Sequence, residues 1–318
     1  MRSEKSFIAT AGGAGCLTDE TLLGVALALG SAFCFAGNRA FGSGPLSARE
    51  SDPVFVNYMS LLVGVPIALV ATIGSLQLFD LAAIGAFALL MFVTAGLFHF
   101  GLGRTLSYTS IKHLGANPTS ALLTTQALYS ILLAFLLLNE ALNLGIIVGT
   151  LMILFGVLFM EGRLSAARRG GVVKLGYLAA LSAGLIFGIT PVVIKAGLAS
   201  FHYFAAATLI SFTAALAVYS LWVTPRYFLG SVRKLSRYSL ASYLAMGAFG
   251  ITAQLFRFAS LSLIPVVVAA PILTTHPIFT ILLTSRISRE KEIFTARTVS
   301  SIILATVGAV IVGYSAGV

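Results

Sequence analysis

His276, Thr280 and Thr284 recur every four residues, a spacing that sets an imidazole and two hydroxyls on one helical face. Gln126 and Ser130 stand 150 residues before His276 and Thr280, and the Thr-Thr pair opening at Thr124 stands 150 residues before the pair at Thr274. His99 is a second histidine inside an apolar run. Asn38 and Arg39 interrupt an earlier run, and Thr190 with Pro191 interrupts its counterpart. Arg104 and Arg257 recur at an offset of 153, while Glu140 and Glu290 close the two copies that begin Thr-Thr.

Polar groups inside apolar spans are expensive in a bilayer, so each is a candidate for lining a cavity. Two arginines at matching positions could hold a carboxylate or phosphate in turn, because a guanidinium makes bidentate contacts with such groups. Imidazole ordinarily titrates near neutral pH, which makes His99 and His276 the central candidates if a proton is coupled to the chemistry. Each has a structural alternative. The threonines can bond their own helix, His99 can pair with a neighbouring helix, Arg39 can snorkel, and Arg104 can anchor a helix end. The glutamates, at helix junctions, are read as structural, capping the next helix or pairing with loop arginines. Every Asp and Glu lies in a tail or near a predicted helix end, so no mid-membrane carboxylate awaits an organic cation.

The elements that position these residues follow from composition. Of 318 residues 58% are hydrophobic and 9% charged, with a mean hydropathy of +1.00, which requires an integral membrane protein. Long apolar runs rather than short alternating strands require helices. Ten are expected: Leu22 to Phe41, Val54 to Ile73, Leu81 to Leu102, Leu114 to Leu138 and Leu142 to Met160, then Leu175 to Ala196, Tyr203 to Val223, Leu240 to Leu261, Val266 to Ser285 and Ala296 to Tyr314. The net charge of +10 punctuates these runs instead of forming a basic face, so nucleic acid is not an expected partner. Cys16 and Cys34 make neither a disulfide framework nor a metal spacing, and no cofactor or metal is expected.

Further matches extend the repeat to whole halves. Ser31, Ala32 and Gly37 match Ser182, Ala183 and Gly188 at 151, and Ser107 and Ile111 match Ser260 and Ile264 at 153. The chain divides into a tail over 1–21, a first half over 22–161, a basic linker over 162–174 and a second half over 175–318. Five helices per half, an odd number, inverts the second half relative to the first. The odd-numbered connections carry 16 of the 20 Lys and Arg, placing them in the cytoplasm and both termini outside; cytoplasmic termini are the alternative. Small residues at Gly145 and Gly149, Gly184 and Gly188, and Ala305, Ala309 and Gly313 are read as packing within the monomer, leaving the oligomeric state open.

The motif FAGNRAF, its partner IFGITPVVIK, FLLLNE followed by GIIVGTLMILFGVLF, and the Pro271 and Pro277 pair resemble the ten-helix EamA-type branch of the drug/metabolite transporter superfamily. The resemblance implies two inverted five-helix repeats, a central cavity lined by the first, third, fourth, sixth, eighth and ninth helices, and export or exchange of small metabolites. Its members are drawn with cytoplasmic termini, opposite to the charge count here. The expected function is secondary transport of a neutral, zwitterionic or anionic metabolite across the cell (inner) membrane, with an amino acid or related compound foremost by resemblance. Phosphorylated or nucleotide-linked metabolites are the alternative raised by the arginines. No GxxxxGK[ST] stretch is present to bind ATP. An intramembrane enzyme on lipid-linked phosphate would need an interfacial cluster of Asp, Glu, His or Arg, which the sequence lacks.

Overall fold

The computed structural model describes residues 19–47, 52–161, 171–223, 228–230, 237–287 and 296–315. The regular structure among them is helical. We label the main helices α1 (Asp19–Ser47), α2 (Pro53–Gly74), α3 (Ala86–Leu114), α4 (Ala116–Leu138), α5 (Leu144–Glu161), α6 (Gly171–Ser200), α7 (Phe204–Trp222), α8 (Arg237–Leu263), α9 (Val266–Leu273 and His276–Ile287) and α10 (Ala296–Ser315). Eight are long and apolar enough to cross a membrane. Among the described residues the other two of the expected ten, α5 and α10, contribute the shorter apolar stretches Leu144–Phe159 and Ile303–Ser315. Large apolar side chains such as Leu136, Phe155 and Val310 face outward, while Asn57, Ser130 and Arg257 are buried. That inversion of the soluble pattern suits a multi-pass protein whose solvent is lipid.

The third helix corrects its expected end. It continues past Leu102 to Leu114, because the polar run from Arg104 to Lys112 turns Arg104, Ser107, Tyr108 and Ser110 into the bundle. Inside it, Gly96–Gly103 winds as a π-helix. Widening a helix loosens its carbonyls, and side chains take them here. The Asn57 amide donates to the Phe100 and Gly101 carbonyls at 2.7 and 3.2 Å, and the Tyr219 hydroxyl donates to Gly101 at 3.0 Å. A left-handed Gly115, with φ of 96°, then turns α3 directly into α4.

The duplicated Thr-Thr pairs are bends. Thr124 and Thr125 interrupt α4, donating their hydroxyls to the Ala121 and Leu122 carbonyls at 2.6 and 2.9 Å. Thr274 and Thr275 interrupt α9 identically, bonding Pro271 and Ile272 at 2.6 and 2.8 Å. A hydroxyl held by its own preceding turn tightens and bends a helix. The repeat also governs packing: α1 lies on α8 and α9, α6 lies on α3 and α4, α2 pairs with α7, and α5 pairs with α10. The last pair touches backbone to backbone, since a Cβ added at Gly149 would stand 2.6 Å from the Gly308 carbonyl oxygen.

Glu140 ends the first copy as a cap on a distant helix rather than on the one that follows it. Its carboxylate accepts the Val266 and Val267 amides at 3.0 and 2.9 Å, closing the N-terminus of α9. Beside it the Lys195 ammonium donates to the Leu261 and Ile264 carbonyls at 2.7 and 3.1 Å, at the C-terminal end of α8. Gln77 accepts the Ala205 and Ala206 amides at the start of α7, and Asn143 donates to the Ser315 carbonyl at the end of α10. Glu140, Gln77 and Asn143 of the first half thus finish helices of the second, whereas Lys195 serves its own half. Glu290, residues 1–18 of the tail and 162–170 of the linker lie outside the described residues.

Candidate functional site

Six helices, α1, α3, α4, α6, α8 and α9, line a partly open cavity whose empty space, open solvent at its mouth included, is about 380 Å³. Its polar wall is Arg39, His99, Gln126, Ser130, Arg257 and His276; its apolar wall includes Phe35, Phe187, Pro191 and Leu273. Only room for a water or two is clear of side chains, so a larger guest requires the walls to part.

Arg39 reaches from α1 to α9, where its Nη1 lies 2.6 Å from His276 Nδ1, and it donates to Ser120 at 3.3 Å. Arg257 on α8 lies 3.1 Å from His99 Nε2 and donates to the Phe187 carbonyl at 3.4 Å. Gln254, one turn earlier on α8, also donates to His99 Nε2 at 3.1 Å. Phe187 packs on the His99 ring with centroids 4.4 Å apart, closing the α6 side. Exposure of these four charged or titratable side chains is 6% for Arg39, 2% for His99, 3% for Arg257 and 1% for His276. Among the described residues no carboxylate is paired with Arg39, Arg104 or Arg257, so their charge is neutralised by no acidic side chain there. A buried cation without an acidic counter-charge is costly, and neutral groups, among them His276, His99 and Ser60, meet these guanidiniums instead.

Several residues singled out by spacing stand outside the cavity's lining. Thr190 bonds the Ile186 carbonyl at 2.6 Å, and Thr280 and Thr284 bond the His276 and Thr280 carbonyls at 2.8 and 2.9 Å, so all three are held by their own helices. Thr124 serves the α4 bend. Asn38, although next to Arg39, turns the other way and donates to the Met246 carbonyl at 2.7 Å and to Tyr108 at 3.2 Å. Arg104 joins that second cluster, donating to Ser60 at 2.6 Å and Tyr108 at 2.9 Å beneath the Phe212 ring. It is 7% exposed, deep in the bundle rather than at a helix end. Ser130 crosses between helices to the Gly188 carbonyl at 2.8 Å.

The family model for the EamA-like transporter family matches residues 22–161 and 174–314. The chain belongs to this family. Membership in the drug/metabolite transporter superfamily follows, and with it a two-repeat membrane transporter with a small-molecule substrate. None of the curated proteins matches the sequence. A solved structure titled only "Crystal structure of protein" aligns over 93% of this chain and 99% of its own, with a TM-score of 0.66 at 17% identity, a likeness of fold alone. In this transporter Gln254, Phe187, Tyr108 and Ser120 were missed by motif spacing. Gln254 carried a signal nonetheless, an amide one helical turn from Arg257 inside an apolar span.

Proposed function

We propose that the protein is a secondary transporter that moves a small metabolite through its central cavity by alternating access, in export or exchange. The observation that carries this reading is the cavity itself, set at the seam of the two repeats and walled by three helices from each. Inverted halves can rock about such a seam so that the same residues face one side and then the other. The narrowness of the cavity is that of a closed or nearly closed intermediate in this cycle. Setting aside the buried Arg39, Arg104 and Arg257 leaves the positive excess on the odd-numbered connections, which favours termini outside the cell (inner) membrane.

The test is counterflow. Proteoliposomes holding the purified transporter are preloaded with a mixed metabolite extract, single labelled compounds are offered outside, and mass spectrometry identifies what leaves. Labelled uptake that depends on the internal extract is expected. Absence of any exchange by protein with native helical content overturns the reading.

A further inference from the structure

We infer that the cargo of the cavity is a small organic oxyanion, a carboxylate or a phosphate, bound by N–H donors that the arginines hold in place. The inference rests on the transport reading for the word cargo and on the cavity's hydrogen bonds for its chemistry.

Arginine can only donate. His276 Nδ1, facing Arg39 Nη1 at 2.6 Å, must therefore be the accepting nitrogen, which places the ring proton on Nε2. His99 Nε2 faces two donors, Arg257 Nη1 and the Gln254 amide, each at 3.1 Å, so its ring proton is on Nδ1. Each arginine fixes one tautomer. The nitrogens left carrying hydrogen, His276 Nε2 and His99 Nδ1, are both buried without a hydrogen-bond partner, and so is Arg257 Nε. All three belong to side chains that line the cavity. They come from α9, α3 and α8, and all three are donors.

A buried donor without an acceptor costs free energy, and natural interiors rarely leave one so. Three on side chains that line one cavity, against a single unpartnered acceptor beside them, Gln254 Oε1, favour a guest rich in acceptors at that end. A carboxylate or phosphate meets this, and its charge offsets the two guanidiniums. An ammonium group fails on both counts, since it would bring donors to donors and a positive charge beside Arg39 and Arg257. The specificity therefore runs against zwitterionic amino acids, the class expected first from the sequence. Phe35, Phe187 and Leu273 leave an apolar wall for a short carbon skeleton.

The experiment separates binding from transport. A metabolite extract is divided on an anion-exchange resin at neutral pH into a flow-through, holding neutral and zwitterionic compounds, and a salt-eluted anionic fraction that is then desalted. Each fraction is used in the counterflow assay and added to detergent-purified transporter during thermal unfolding. The anionic fraction is expected to drive exchange at least tenfold faster than the flow-through and to raise the unfolding temperature. Succinate and glycerol 3-phosphate, tested singly, then distinguish a carboxylate from a phosphate. Arg257→Gln is expected to lower anion-driven exchange by about 10- to 100-fold, the range for losing a charge-assisted hydrogen bond, with Arg257→Lys less affected. Exchange driven by the flow-through with the anionic fraction silent overturns the oxyanion assignment and leaves transport standing. Stabilisation by anions without any exchange keeps the oxyanion site and overturns transport. Absence of both stabilisation and exchange with the anionic fraction overturns the inference outright, and because it is read on the unmutated protein no folding defect of a variant can mask it.

Discussion

Replacing Glu140 with glutamine should loosen the junction between the two halves by about 2 kcal/mol. The native carboxylate accepts two amides of α9, from Val266 at 3.0 Å and Val267 at 2.9 Å. Glutamine has the same shape but one acceptor. Its NH2 would face the second amide, donor against donor, so one charge-assisted bond is lost and a partly buried N–H is left unpaired, each worth about 1–3 kcal/mol. The charge that complements the helix N-terminus goes as well, about 0.3–1 kcal/mol at an accessible site. These contributions overlap because they describe one interaction, which sets the net near 2 kcal/mol instead of their sum.

Alanine at the same position should be little worse than glutamine, since Glu140 is only partly buried and water can reach the freed amides. Purified protein in mild detergent, melted while its helical circular dichroism is followed, should show Glu140→Gln unfolding roughly 3 °C below the parent. Glu20→Gln, on the exposed first turn of α1, should stay within about 0.5 kcal/mol of it. Equal melting of Glu140→Gln and the parent would refute the reasoning, because the two amide contacts would then contribute nothing net.

Gly149→Ala should cost about 1–3 kcal/mol in the same melt, because the new Cβ meets the Gly308 carbonyl oxygen at 2.6 Å and Val312 at 2.7 Å. Gly74→Ala, which meets nothing within 4 Å, serves as its neutral counterpart. Asn57→Leu removes the amide that holds the Phe100 carbonyl at 2.7 Å, and hydrogen exchange over 96–103 should quicken as the π-helix loses its support, at about 1–3 kcal/mol. Cys34 is a buried free thiol and in a Cys16→Ser background should resist a water-soluble maleimide until the protein is denatured.

Much of the frame was legible because duplication leaves arithmetic behind. The constant offset between TTQALYSILLAFLLLNE and TTHPIFTILLTSRISRE marks a bend, and in the first copy the closing glutamate marks a cap. The end of α3 was not legible, because hydropathy reads Arg104, Thr105 and Ser107 as departure from the membrane. A polar run can equally be a helical face turned into the bundle, and only packing distinguishes the two. Nor was the pairing of Arg39 with His276 legible, since they are separated by 237 residues and meet only when α1 crosses α9. Sequence spacing gathers residues on one helix, whereas this cavity is made of single side chains from six.

The duplication also explains where the chemistry is concentrated. Repeat arithmetic places Thr190 at the counterpart of Arg39 and Gln126 at the counterpart of His276. One half thus offers an arginine and the other half a histidine that meets it, while the reciprocal pair is a threonine bonded to its own helix and a glutamine. The bends at Thr124 and Thr274, the exchanged helix packing and the pairing of α5 with α10 preserve the symmetry. Symmetric packing lets two opposite-facing states of a rocking pair have similar energy, since each repeats the other's contacts with the halves exchanged. The cationic groups need not obey that symmetry, because a guest must be recognised only once, in a cavity both states share. The scaffold can therefore stay duplicated while Arg39, His276 and the Arg257–His99 pair diverge to set what it carries.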